Sequence, residues 1–137
     1  MPAVTISDAD ESGDCLAFDL ADILETLAPW IGISEWRCAG VECFGPGADA
    51  IHAIDDDCRR VSSDELLRLV RNVSQTIDGY FYAYEPANPH PWLAIRAVDG
   101  ACFDVECVEL VVIEALRWRF HSVSNFPPDG GSYLNDC

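Results

Sequence analysis

The chain has 137 residues, of which 24 are acidic and only eight basic, every one of the eight an arginine, for a formal net charge of −16. A surface this negative repels nucleic acid, which binds proteins through cationic contacts to phosphate; it also repels anionic membrane and attracts cationic partners at long range. Half the residues are hydrophobic, too many for a disordered acidic tail. One α+β domain is therefore expected to span 1–137, with a core inside and charge outside, because domains typically run to about 100–150 residues.

The first residues carry no basic region and no apolar stretch of signal-peptide length. The apolar run Leu110 to Ile113 is far short of the roughly 20 residues of a membrane span. A cytoplasmic protein is expected, its seven cysteines reduced and several of them acting as small core hydrophobes.

Residues 1–14 are acidic and without period and read as a loose arm, with a short strand at Val4 to Ile6. A helix is predicted over 19–28, with Asp19 as N-cap, Asp22 in the first turn, and Leu20, Ile23, Leu24 and Leu27 as one apolar stripe. Pro29 should end it. Residues 33–44 alternate as a strand, with a bend or bulge at Ala39-Gly40. After the Gly45-Pro46-Gly47 turn, 50–54 reads as a short strand and 55–60 as a polar loop. Ser62 through Glu65 is a capping box that opens a helix over 63–77, with Leu66, Val70, Val73 and Ile77 buried.

Three strands follow, over 80–84, 92–98 and 101–105. Asp99-Gly100 is a type I′ hairpin signal, which would set Val98 opposite Ala101, Arg96 opposite Phe103 and Ala94 opposite Val105. The last helix is predicted over 106–121, with Val108, Val111, Val112, Ala115, Leu116, Trp118 and Phe120 on a wide buried face. Residues 127–137 read as a flexible tail. The sum is an antiparallel sheet of about four to five strands with three helices packed on it, an α+β fold.

Candidate chemistry is sparse. Cys38 and Cys43, like Cys102 and Cys107, stand five positions apart, so in a strand their thiols would point to opposite faces; no metal and no cofactor is expected. His52 is followed by Asp55, Asp56, Asp57 and Cys58, but the run does not match a calcium loop. The sequence contains no phosphate loop, nucleophile elbow or zinc-protease motif, so no catalytic residue is assigned. Tyr80, Tyr82 and Tyr84 alternate with Phe81 and Ala83; if the latter two face the helices, the tyrosines form a ladder on the other face. Tyrosine rimmed by acid is the composition of a protein-binding surface.

In composition the chain resembles the small acidic immunity proteins and antitoxins with which bacteria neutralise basic nuclease toxins. The resemblance is of charge, not of motif. It implies a non-enzymatic binding module whose partner is a basic protein, contacted through Asp55, Asp56, Asp57, Tyr80, Tyr82, Tyr84 and Glu85. The competing readings are a small hydrolase built on carboxylates with His52 or His90, and a structural homodimer joined through the tyrosine face.

Overall fold

The computed structural model describes residues 2–125 and 132–135. The fold is α+β. Among the described residues seven strands form one antiparallel sheet, with four helices, more of each than the sequence predicts. In chain order the elements are β1 (Ala3–Ile6), α1 (Leu20–Ile31), β2 (Glu35–Phe44), α2 (Ala48–Asp57), β3 (Val61–Ser62), α3 (Ser63–Val70), β4 (Gln75–Tyr84), β5 (Leu93–Val98), β6 (Cys102–Cys107), α4 (Leu110–Arg119) and β7 (Val123–Asn125), then a 3₁₀ turn at Tyr133–Asn135. The strands lie in the order β3-β2-β4-β5-β6-β1-β7.

Local signals at helix starts hold. Asp19 caps α1 reciprocally with Asp22, and the Ser62 hydroxyl accepts the Glu65 amide at 3.1 Å at the start of α3. The stripe Leu20, Ile23, Leu24 and Leu27 is buried. Pro29 does not stop α1, which runs on to Ile31; a proline forfeits one amide bond, and the buried Ile31 side chain anchors the final turn. The bulge expected near Ala39-Gly40 is present as a register shift against β4 between Ala39 and Glu42, where Gly40 takes a positive φ of +61°.

Several expectations are corrected. The segment read as a strand and acidic loop is helix α2, because Ala48, Ile51 and Ile54 recur three apart and are buried together; a short apolar run does not distinguish strand from buried helix. The helix expected over 63–77 ends at Val70, and residues from Gln75 belong to β4. Thr76 pairs with Cys43 on β2, and β-branched residues there suit a strand better than a helix. The start of the final helix moves likewise to Leu110, because 102–107 pairs with both β5 and β1.

The short strand expected at Val4 to Ile6 is present as β1, and it ties the start of the chain into the sheet rather than leaving it a loose arm. Val4 and Ile6 are fully buried, and β1 lies between β6 and β7. The Asp8 carboxylate then accepts the His121 and Ser122 amides. At the other end, the tail expected over 127–137 includes buried Tyr133 and Leu134; 127–131, 136 and 137 lie outside the described residues.

The hairpin is right in turn and wrong in register. Asp99 and Gly100 have φ of +52° and +66°, and the Ala101 amide donates to the Val98 carbonyl at 2.9 Å, as a type I′ turn requires. The ladder, however, pairs Val98 with Cys102, Arg96 with Asp104 and Ala94 with Glu106. The expected register would have set Phe103 on the face of Arg96 and exchanged every residue of β6 between faces. The observed slip leaves Ala101 unpaired and matches Ile95 with Val105 and Ala97 with Phe103. Burial of the apolar row outweighs a tidy two-residue loop.

The two sheet faces therefore differ. Trp36, Cys38, Phe81, Ala83, Leu93, Ile95, Phe103, Val105, Val4 and Ile6 belong to the main core with the helices. On the opposite face Tyr82, Tyr84 and Ala94 form a second cluster with Tyr133 and Leu134.

Candidate functional site

The tyrosine ladder exists on the face that alternation assigns to it. The Tyr80 and Tyr82 rings are stacked, their centroids 6.0 Å apart and their planes within 5°. Arginines lie over the ladder: the Arg60 guanidinium carbon is 3.8 Å from the Tyr84 centroid, that of Arg96 5.0 Å from Tyr80, and that of Arg37 6.0 Å from Tyr82. These contacts and the C-terminal segment 132–135, through Tyr133 and Leu134, cover the face, leaving Tyr82 5% and Tyr84 2% exposed.

Two buried carboxylates on β6 hold that segment down. Glu106 accepts the Tyr133 amide at 2.9 Å and the Ser132 hydroxyl. Asp104 accepts the Tyr133 hydroxyl at 2.8 Å and the Thr5 hydroxyl. The Arg96 guanidinium in turn donates to the Tyr133 oxygen at 3.1 Å, and this hydrogen bond raises the Arg96 pKa. Burial raises that of the Tyr133 phenol. Buried charges kept this way need every lone pair satisfied. The face is thus an internal polar and aromatic layer, and a partner cannot reach Tyr82 or Tyr84 with the segment in place.

The three consecutive aspartates end α2 rather than occupy a loop. Asp55 is partly buried and accepts the Val41 amide at 2.8 Å, tying α2 to the β2 bulge. Asp56 and Asp57 are exposed, at a helix end whose free carbonyls already carry partial negative charge. They add to a negative pole that no basic residue in that last turn offsets.

His52 meets Cys43 across the α2–β2 contact, with Nε2 3.8 Å from Sγ. Burial, and then the charge of Asp19, push the Cys43 thiol above its ordinary value. A nucleophilic pair needs the opposite shift, and the shift here comes from burial and Asp19 rather than from the histidine. Among the described residues no cluster of three or more His, Cys, Asp or Glu side chains is arranged to hold a metal ion. No described helix is long and apolar enough to cross a membrane.

Glu85 has company that its sequence position does not reveal. It lines a hollow of about 250 Å³ with Trp30, Ile33, Ser34, Trp92, Val108 and Glu109. Four separated stretches meet here: the end of α1 and its link to β2, the end of β4, the start of β5, and the β6–α4 junction. The walls are tied together. The Trp92 indole N–H donates to the Ser34 hydroxyl at 3.0 Å, the Ser34 amide to the Ile31 carbonyl at 3.0 Å, and the Val108 amide to the Trp92 carbonyl at 3.1 Å. Ile33 is nonetheless 76% exposed, and Trp30 and Val108 are open to solvent.

These residues escape a sequence reading because periodicity seeks buried stripes. On α4 the buried set is Val112, Ile113 and Leu116, so Val111 and Trp118, expected inside, are exposed, Trp118 by 92%; Val108, also expected inside, precedes the helix and is exposed too. Apolar residues out of phase with the buried stripe were the available signal. No family model matches the chain, and no curated protein or solved structure is detectably similar to it.

Proposed function

We propose that this chain is an acidic protein-binding module, an inhibitor of immunity or antitoxin type that neutralises a basic, nuclease-like protein. The observation that carries the reading is a charge the molecule does not balance internally. Among the described residues three ion pairs form, Arg59–Glu65, Arg60–Glu35 and Arg71–Glu25, all at the surface. Arg37, Arg60, Arg96 and Arg119 lie over aromatic rings of the chain itself. Most of the 24 acids thus contribute to the external field.

A nuclease needs a cationic groove for phosphate, and carboxylates at similar density steer such a groove onto the inhibitor. Asp56, Asp57, Glu85 and Glu109 are open to this role. Asp55 and the ladder support it from beneath, by holding α2 and the sheet in place.

The test is affinity capture from the host on the immobilised chain, at about 0.01 M and about 0.15 M salt, where the Debye length falls from about 30 Å to about 8 Å. One dominant basic protein is expected. Its nuclease activity should be lost at stoichiometric inhibitor, and its association rate should drop by about tenfold or more at the higher salt. A neutral or acidic partner, or binding indifferent to salt, overturns the reading.

A further inference from the structure

We infer that the hollow between Trp30, Ile33, Trp92 and Val108 is the anchor pocket of the binding surface, and that it takes one apolar side chain flanked by Lys or Arg from the basic partner. The inference rests on the inhibitor reading and deepens it by naming the contact.

Shape argues for a side chain as occupant. At about 250 Å³ the hollow falls below the roughly 300–1,000 Å³ of small-molecule pockets. It suits a single large residue inserted from a protein surface. Two of its lining residues are tryptophans, the residue type most enriched where interfaces concentrate their energy. The Trp92–Ser34 and Val108–Trp92 hydrogen bonds hold the walls before binding, which removes part of the ordering cost of association.

Charge selects the partner. Among the described residues Glu85 and Glu109 are the charged ones lining the hollow, and no cation lines it. A second copy of this chain would bring another −16 and the same two carboxylates against it, a like-charge contact that costs affinity. By contrast, the hollow beside Trp118 includes Arg119 along with Asp22 and Glu25 and lacks this single sign. An apolar residue next to lysine or arginine satisfies both wall and rim of the first hollow.

The four tryptophans make the site readable, since each gives its own indole N–H signal in NMR. Trp30 and Trp92 line the hollow, Trp36 is fully buried, and Trp118 is exposed elsewhere. The probe is a blocked peptide with one leucine flanked on each side by two arginines. It is compared with a peptide carrying alanine at the centre and another carrying glutamate in place of arginine.

The leucine–arginine peptide should shift the Trp30 and Trp92 signals and leave those of Trp36 and Trp118 in place. Alanine at the centre should weaken binding by about tenfold or more, and the glutamate peptide should not bind. Glu85→Gln with Glu109→Gln should weaken the arginine peptide by about two- to thirty-fold, the range two exposed ion pairs supply. Both side chains are exposed, and Glu109 makes no side-chain cap bond to α4, so the double variant keeps its fold.

Binding that leaves Trp30 and Trp92 unmoved overturns the inference, as does equal affinity for the alanine peptide. A sedimentation dimer dissolved by Ile33→Asp assigns the hollow to a second copy and overturns it too. A captured basic partner that leaves both signals in place removes this contact but keeps the inhibitor reading. A peptide that fills the hollow while the captured partner is neutral or acidic removes the inhibitor reading instead.

Discussion

The Trp92 indole donates its N–H to the Ser34 hydroxyl at 3.0 Å, joining the start of β5 to the link that follows α1. Ser34 is itself buried, at 3% exposure, so the bond fixes the tryptophan that forms one wall of the hollow. Ser34→Ala removes the acceptor and leaves the indole N–H to whatever water can reach it. A loss of about 1 kcal/mol in denaturant unfolding is expected, with broadening of the Trp92 indole signal. An unchanged signal would show that packing alone orients this ring.

At the β5–β6 hairpin, Gly100 sits at φ +66°, and a Cβ there would approach the Gln75 side-chain nitrogen at 3.3 Å and Ile77 Cδ1 at 3.4 Å. Gly100→Ala should destabilise the protein by about 1–2 kcal/mol through the left-handed backbone penalty. Asp99→Gly, at φ +52°, relieves the same strain, so chemical denaturation should show it neutral or slightly stabilising. Equal losses in both variants would contradict the type I′ assignment.

Two residues of α4 separate packing from surface. Leu116 is fully buried and Trp118 is 92% exposed. Leu116→Ala should cost about 2–5 kcal/mol, from lost transfer energy and the cavity left behind. Trp118→Ala should stay within about 0.5 kcal/mol of the parent chain. Paired urea titrations decide it: comparable losses would mean that the helix is rotated from the phase described.

Thiol chemistry gives a further check. Burial pushes the Cys38 thiol up to about 12 and that of Cys107 up to about 11, from an ordinary 9.0, whereas Cys15 and Cys58 are exposed. Alkylation at pH 8 followed by peptide mapping should label Cys15 and Cys58 first, and Cys38 and Cys107 only on unfolding. The linkage runs the same way. Above about pH 9 the unfolded chain loses thiol protons that the folded chain keeps, so stability should fall as pH rises from about 9 toward 11–12. Fast labelling of native Cys38 would contradict its burial.

Where a signal was short-range, the residues declared it. The cap at Asp19, the Ser62 cap of the Glu65 amide, the Asp99-Gly100 turn and the Tyr80–Tyr84 alternation each depend on atoms a few positions apart, and each is found; of the box expected at Ser62–Glu65 only the Ser62 half forms. Elsewhere one pattern serves two structures. Ile51 and Ile54 suit a strand or a helix, and it is their shared burial with Ala48 on α2 that decides; Val73 and Ile77 continue a helical period into what becomes a turn and a strand, where β2 supplies the pairing partner of β4.

The unbalanced charge, the alternation of faces in β4 and the starts of α1 and α3 were determined by the sequence itself, because composition and local hydrogen bonding need no distant partner. The tertiary structure decided what each surface became. The tyrosine face looked open until Glu106 and Asp104, more than 25 residues upstream of Ser132 and Tyr133, drew the C-terminal segment over it. The hollow around Trp30 and Trp92 exists only because residues 30–34, 85, 92 and 108–109 converge. Which apolar residues remain outside is settled by how much area the sheet can cover, and that depends on the whole chain at once.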